Sequence, residues 1–244
     1  MDFDPQIFFK ALTSPALLQG VQITILLTVV AMVFGLALGL VVALMRDHSS
    51  RILRGIAWTY VWFFRAVPTL VLLLFVWNAS PQLFPATRER WFSPLLAASL
   101  ALSFNEAAYA AEIIRGGLLA VDDGQKLAAR ALGLAPRKVF TKVILPQVVR
   151  VTIPPLSNDL ITMLKITSLA SIISLQELLG YTRTAVALDF RFAERYAAVT
   201  VYYLVLVSIL MVGQAWLERR FRWTSHRGEG RSAGAFLRQL APMR

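Results

Sequence analysis

Three apolar stretches of this sequence carry side chains that a lipid interior tolerates only for a reason. They are Arg65 in "YVWFFRAVPTL", Glu106 and Tyr109 in "LSFNEAAYAAE", and Thr162, Lys165 and Ser168 in "NDLITMLKITSL". Charged groups inside a span are costly and usually face a bundle interior or a water-filled cavity. Ser99, Ser103, Glu106 and Tyr109 recur at steps of three or four, which predicts a polar stripe on one helix face. Asn158, Thr162 and Lys165 repeat that spacing on a second helix, with Ser168 nearby. Walls of both signs suit a small solute that carries one carboxylate and one ammonium. The competing arrangement is an ion pair of Glu106 with Arg65 or Lys165, which neutralises the bundle and touches no solute. Glu112 and Arg115 fall near the inner end of their span, where structural pairing with the adjoining loop is the simpler expectation.

The elements that position these residues are long and apolar. The chain has 244 residues, 57% of them apolar and only 16% charged, whereas soluble domains hold about a quarter charged residues. A bilayer crossing needs roughly 20 apolar residues. Five runs qualify: Val21–Met45, Gly55–Ala79, Leu95–Ile114, Val151–Leu175 and Tyr196–Leu217. The first begins some twenty residues in without a basic leader, so it reads as a permanent span rather than a cleaved signal. Pro154 and Pro155 are expected to kink the entry of the fourth. The net charge of +11 is a matter of topology. With the amino terminus outside, 17 of the 25 Lys and Arg lie on inner stretches, six lie outside, and Arg65 and Lys165 fall within spans. The positive-inside rule selects that orientation, and anionic lipid rather than nucleic acid accounts for the basic surplus. The absence of cysteine excludes disulfides and thiolate metal sites.

Between the third and fourth runs lies a polar insert, "VDDGQKLAARALGLAPRKVFTKVILPQ". Asp122 or Asp123 can cap a helix start and Gly133 can end it in a left-handed conformation. Leu127, Ala128, Ala131 and Leu132 share one face, with Lys126 and Arg130 a turn apart. A second short helix follows, with Pro136 in its first turn, Val139, Phe140 and Val143 as an apolar face, and Pro146 as its expected stop. The pair could rest on lipid or present a docking face to another protein; the pattern alone suits both.

The insert resembles the EAA loop of ABC importer permeases, in which Glu-Ala-Ala, three residues, Gly, nine residues, Ile, one residue and Leu-Pro follow in order. Ala128, Ala129, Gly133, Leu145 and Pro146 match in register, Val143 replaces Ile, and Leu127 replaces the Glu. The literal "EAA" at Glu106–Ala108 has Glu112 where Gly is needed and is a decoy. "AAYAAEIIRGGLLAVDDGQ" and "LKITSL" resemble the polar amino-acid uptake branch of this family, which also carries Arg65 and Pro68 in its second span. Trp62 and Ile166 stand where that branch commonly has acidic residues.

The resemblance, which runs from about Gly20 to Leu217, implies an all-α integral membrane fold with five transmembrane helices and a cytoplasmic coupling-helix insert. Its expected parts are an outer segment over 1–19, a permease domain over 20–217 with the coupling loop at 116–147, and a basic inner tail over 218–244. The coupling helix, Gly124, Gln125, Lys126, Leu127, Ala128, Ala129, Arg130, Ala131, Leu132 and Gly133, would seat in a separate ATPase subunit. No "GxxxxGK[ST]" occurs, so ATP belongs to that partner, and this chain is expected to bind no cofactor and catalyse nothing. A second permease, either an identical copy or a non-identical one carrying the acidic residue that Leu127 replaces, and an external amino-acid-binding protein complete the implied assembly in a bacterial inner membrane. The alternatives are an ion-driven secondary transporter, with Glu106 and Lys165 as relay groups, and a membrane adaptor that only recruits a partner.

Overall fold

In a computed structural model that describes residues 3–221, every regular element is helical. The order is α1 (Pro5–Leu12), α2 (Pro15–Arg46), α3 (Arg51–Ala66), α4 (Thr69–Leu74), α5 (Ser80–Leu83), α6 (Pro94–Leu119), α7 (Asp123–Ala131), α8 (Pro136–Val139), α9 (Leu145–Ile166), α10 (Leu178–Asp189) and α11 (Phe192–Phe221). Single π-helical stretches join α4 to α5 over Phe75–Ala79 and α8 to α9 over Phe140–Ile144. Most of the basic tail expected over 218–244 lies outside the described residues.

The bundle is organised around α6. Ser93 caps it by accepting from the Leu96 N–H, and Pro94 fills the first turn, where its missing N–H costs nothing. Ala97, Ala98, Ala101, Ala107, Ala108, Ala110 and Ala111 are all fully buried, so neighbours approach α6 almost to backbone contact. The closest neighbour is α2, which presents Ala31, Gly35, Gly39 and Ala43 at every fourth position, all buried. Without a hydrophobic drive between helices in lipid, small residues of this kind make close van der Waals packing possible. A Cβ on Gly39 would sit 2.7 Å from Ala110 Cβ and 2.9 Å from the Ala107 carbonyl oxygen, whereas one on Gly55 would meet nothing within 4 Å. Gly39→Val is therefore expected to destabilise the protein by about 1–3 kcal/mol through overpacking. Gly55→Val should stay within about 0.5 kcal/mol. Thermal melting of both variants in detergent compares them directly.

Three features depart from the linear reading. The second span is broken, because Pro68 holds Val67 in an extended conformation (φ −81°, ψ 127°) and the axis turns by 101° between α3 and the α4–α5 segment. Pro146 does not stop its helix. Instead α8, the π turn and α9 run on as one 38-residue helix, Pro136–Ile173, with Pro146 absorbed in the first turn after the π turn. The upper end tightens to a 3₁₀ helix over Thr167–Ile173 and closes at left-handed Ser174 (φ 65°). Finally, α2, Pro136–Ile173 and α11 are long and apolar enough to cross a membrane, and the bent pair makes a fourth candidate. The central α6 is 26 residues long but less apolar, since it carries Asn105, Glu106, Glu112 and Arg115. Protein rather than lipid surrounds much of it.

Candidate functional site

The break at Pro68 creates the site. With no N–H on Pro68, the Phe64 carbonyl loses its helical donor, and Asn105 of α6 donates to it instead at 2.8 Å. Thr69, the first residue beyond the break, donates to the Asn105 side-chain oxygen at 3.4 Å. Irregular backbone at membrane depth is tolerated where it is buried in protein or lines a cavity. Here a cavity of about 140 Å³ opens beside it, close to the size that accommodates one benzene-sized molecule.

Its walls come from three elements. Thr69 stands at the break, Glu106 and Tyr109 come from α6 with Asn105, and α9 contributes Asp159, Thr162, Met163 and Ile166 at helical spacing. The Glu106 side chain is only 4% exposed. One oxygen of Glu106 and one of Asp159 are buried without a hydrogen-bond partner. A buried carboxylate normally has a paired cation or full hydrogen bonding, and no Lys or Arg lines this cavity. The two acids therefore face one cavity with unused acceptor capacity.

Of the residues singled out from sequence, Glu106, Tyr109 and Thr162 converge on the cavity. Arg65 does not pair with Glu106. Its guanidinium lies over the Tyr109 ring at 5.5 Å and 3.9 Å from Glu112, in a second cavity that adjoins the first through Tyr109. Lys165 is exposed on the flank of α9 and forms no ion pair among the described residues, and Ser168 donates back to the Lys165 carbonyl at 2.7 Å. The predicted stripe along α6 also divides. Ser99 and Ser103 line an apolar groove with Phe34 and Leu100, while Glu106 and Tyr109 face the cavity. Glu112 pairs with Arg46 at the end of α2 as well as with Arg115. Asp159 does not fall on the polar stripe read for α9, yet it is the single acidic residue between Val151 and Leu175, and a charge within a span is itself a signal. Asn105 and Thr69 left no such mark, because their role follows from the neighbouring helix break.

Outside the bundle, α7 stands as a separate rod. The Asp122 side chain caps it by accepting from the Gly124 N–H at 2.6 Å, and Lys126 holds Asp123 at 2.8 Å. That hydrogen bond and charge draw the Asp123 carboxyl below its usual pKa. At the other end Gly133 is left-handed (φ 78°), and the Leu134 N–H reaches back to the Ala129 carbonyl at 3.2 Å, closing the helix as its sequence predicts. Ala129 faces inward, but Leu127 (65% exposed), Leu132 (82%), Ala128 and Ala131 form an uncovered apolar face. The rod is braced at both sides. It follows α6 after only three residues, and Gln125 accepts from the Gln147 amide at 2.5 Å at the foot of α9. Thus α7 is tied to both helices that carry the acidic cavity.

A helical membrane bundle with a small polar cavity and an external rod braced to two of its walls defines the class: a transport subunit that another protein can work from outside. A family model described as "binding-protein-dependent transport system inner membrane component" matches residues 35–223, and the chain belongs to that family. It is 38% identical over 230 residues to the arginine transport system permease protein ArgU of Corynebacterium glutamicum, covering 90% of this chain and 71% of that protein. With the glutamine transport system permease protein GlnP of Escherichia coli K12 it shares 33% identity over 222 residues, covering 91% and 99%. Among solved structures, an amino acid ABC transporter crystallised with histidines superposes with a TM-score of 0.82 at 32% identity, over 90% of this chain and 100% of that one. The inward-facing MetNI methionine ABC transporter shares the fold, with a TM-score of 0.70 at 23% identity. The chain is accordingly a multi-pass inner-membrane permease subunit of the ABC importer kind and not an enzyme.

Proposed function

We propose that this chain forms the passage of an ATP-driven importer of polar amino acids, and that the amino acids it prefers carry a net positive charge. One observation supports the motor role above others: the uncovered Leu127, Ala128, Ala131 and Leu132 face belongs to a helix braced to both α6 and α9. An ATPase subunit gripping that face can move Glu106 and Asp159 relative to one another. Two carboxylates, each with one buried and unpartnered oxygen, and no cation in their cavity support the charge preference. The relative named for arginine transport agrees with that preference, while the one named for glutamine, a neutral amino acid, agrees only with the wider polar class.

In this scheme the bent α3–α5 pair and α6 join the three long apolar helices as five crossings, with the amino terminus outside and α7 in the cytoplasm. ATP binds the partner subunits, and an external binding protein delivers the solute. Leu127 takes the place of the family's acidic residue, so a non-identical second permease supplies that contact. The test is uptake of labelled arginine into proteoliposomes holding the assembled transporter. Uptake should stop without ATP and persist when the proton gradient is collapsed. Lysine should compete and glutamate should not. Uptake that follows the proton gradient would instead support an ion-driven carrier, and equal competition by glutamate would remove the charge preference.

A further inference from the structure

The second cavity has a chemistry of its own. It measures about 480 Å³, within the range of small-molecule sites. Arg46 from the end of α2, Arg65 from the end of α3, and Trp58, Trp62, Tyr109 and Glu112 line it. Arg46, Arg65 and Arg115 all lie within ion-pair reach of the one carboxylate of Glu112. A single anion cannot neutralise three guanidiniums, so the cluster keeps a surplus of positive charge. The Arg65 side chain is 47% exposed, which leaves donors of its planar fork available.

The cavity's outer wall has the composition of a membrane-interface surface. Trp58 and Trp62 stack in parallel with centroids 6.2 Å apart, and each is 57% exposed. Such amphipathic rings concentrate at headgroup level. Along the same helix Ile52, Ile56 and Phe63 are also exposed, offering an apolar track beside the basic cavity. Arg51 and Arg54 add positive charge at the start of α3, on the side of the bundle where α2 ends.

We propose that this cavity binds the phosphate of an anionic membrane lipid, with its acyl chains lying along α3. Guanidinium forks match phosphate oxygens in geometry as well as charge, and basic pockets between membrane helices are suited to lipid headgroups. A second copy of the chain is a poor occupant, because it would bring the same positive surplus to the same place. Tyr109 lines both cavities, so the bound lipid would also brace the inner wall of the passage.

The test uses the assembled full-length transporter, stripped of lipid in detergent and titrated with phosphatidylglycerol, phosphatidylcholine or inorganic phosphate, with bound species counted by native mass spectrometry. Phosphatidylglycerol should bind in preference to phosphatidylcholine and weaken as salt is raised. Each basic residue near an anionic surface contributes about a fivefold gain, so Arg46→Gln with Arg65→Gln should weaken phosphatidylglycerol binding by ~30-fold. The corresponding double Lys variant should keep most of it. Equal binding of the two lipids to the unaltered transporter would overturn the proposal, a comparison that needs no variant to fold. Full retention of phosphatidylglycerol by a folded double Gln variant would overturn it too. Inorganic phosphate binding as tightly as phosphatidylglycerol would make this a plain anion site and overturn the lipid assignment.

Discussion

Ala128→Asp, a single carboxylate placed on the uncovered face of α7, is expected to lower uptake by about two orders of magnitude while the permease stays folded in the membrane. Ala128 is exposed in the isolated chain, and surface substitutions of this kind change stability by no more than about 0.5 kcal/mol. Once an ATPase groove closes over the helix, the same carboxylate is buried without a partner. Losses for an unpaired charge in an interface run to about 2–5 kcal/mol, or roughly 30-fold and upward in docking. Co-purification of the ATPase subunit, measured beside uptake, separates lost docking from lost insertion. Leu127→Glu supplies the informative contrast. It adds the same charge one residue away, where the resembling family carries Glu, and should leave docking intact or tighter. Equal damage from both substitutions would mean that α7 meets lipid or an acidic surface instead of a complementary groove.

The second large effect belongs to the acidic cavity. Asp159→Asn and Glu106→Gln should each reduce uptake of a cationic amino acid by ~30-fold or more, the cost of removing one partner of a buried charge contact. Their double variant should fall short of the product, because both acids serve one ligand. Ser99→Ala, in the apolar groove beyond α6, should change uptake by no more than about twofold. Stability should move the other way. In the empty protein each carboxylate keeps a buried oxygen without a hydrogen-bond partner, and a neutral amide relieves that desolvation. Melting of the substrate-free variants in detergent is therefore expected at or above the unaltered temperature. A clear fall would show that the two acids hold the bundle together and do not serve a ligand.

Much of the external rod α7 was legible from local chemistry. Asp122 as cap, Gly133 as left-handed stop and the Leu127–Leu132 face follow from neighbours within one or two turns, and each appears as expected. The literal "EAA" at Glu106–Ala108 lies in the buried middle of α6, whereas Ala128 and Ala129 lie on the external rod α7. The cavity was less legible. A stripe read at steps of three or four drifts around a helix, which is how Ser99 and Ser103 came to face a groove while Glu106 and Tyr109 face the cavity. Likewise Asn158 and Lys165 occupy one flank of α9, and Asp159, Thr162 and Ile166 the next.

What the linear chain determined alone was whatever depends on nearest neighbours and bulk transfer: apolar length, charge asymmetry, helix caps and the register of α7. What only the tertiary structure decided was which polar groups meet. Pro68 stands inside a run that reads as one span, and only α6 packed alongside shows that Asn105 satisfies the carbonyl it frees and that Thr69 thereby borders a cavity. Arg65 was equally able to pair with Glu106 on paper. The bend at Pro68 and the close approach of α2 to α6 put Glu112 within its reach and leave Glu106 facing Asp159, since a long flexible cation goes to the carboxylate that helix packing brings near.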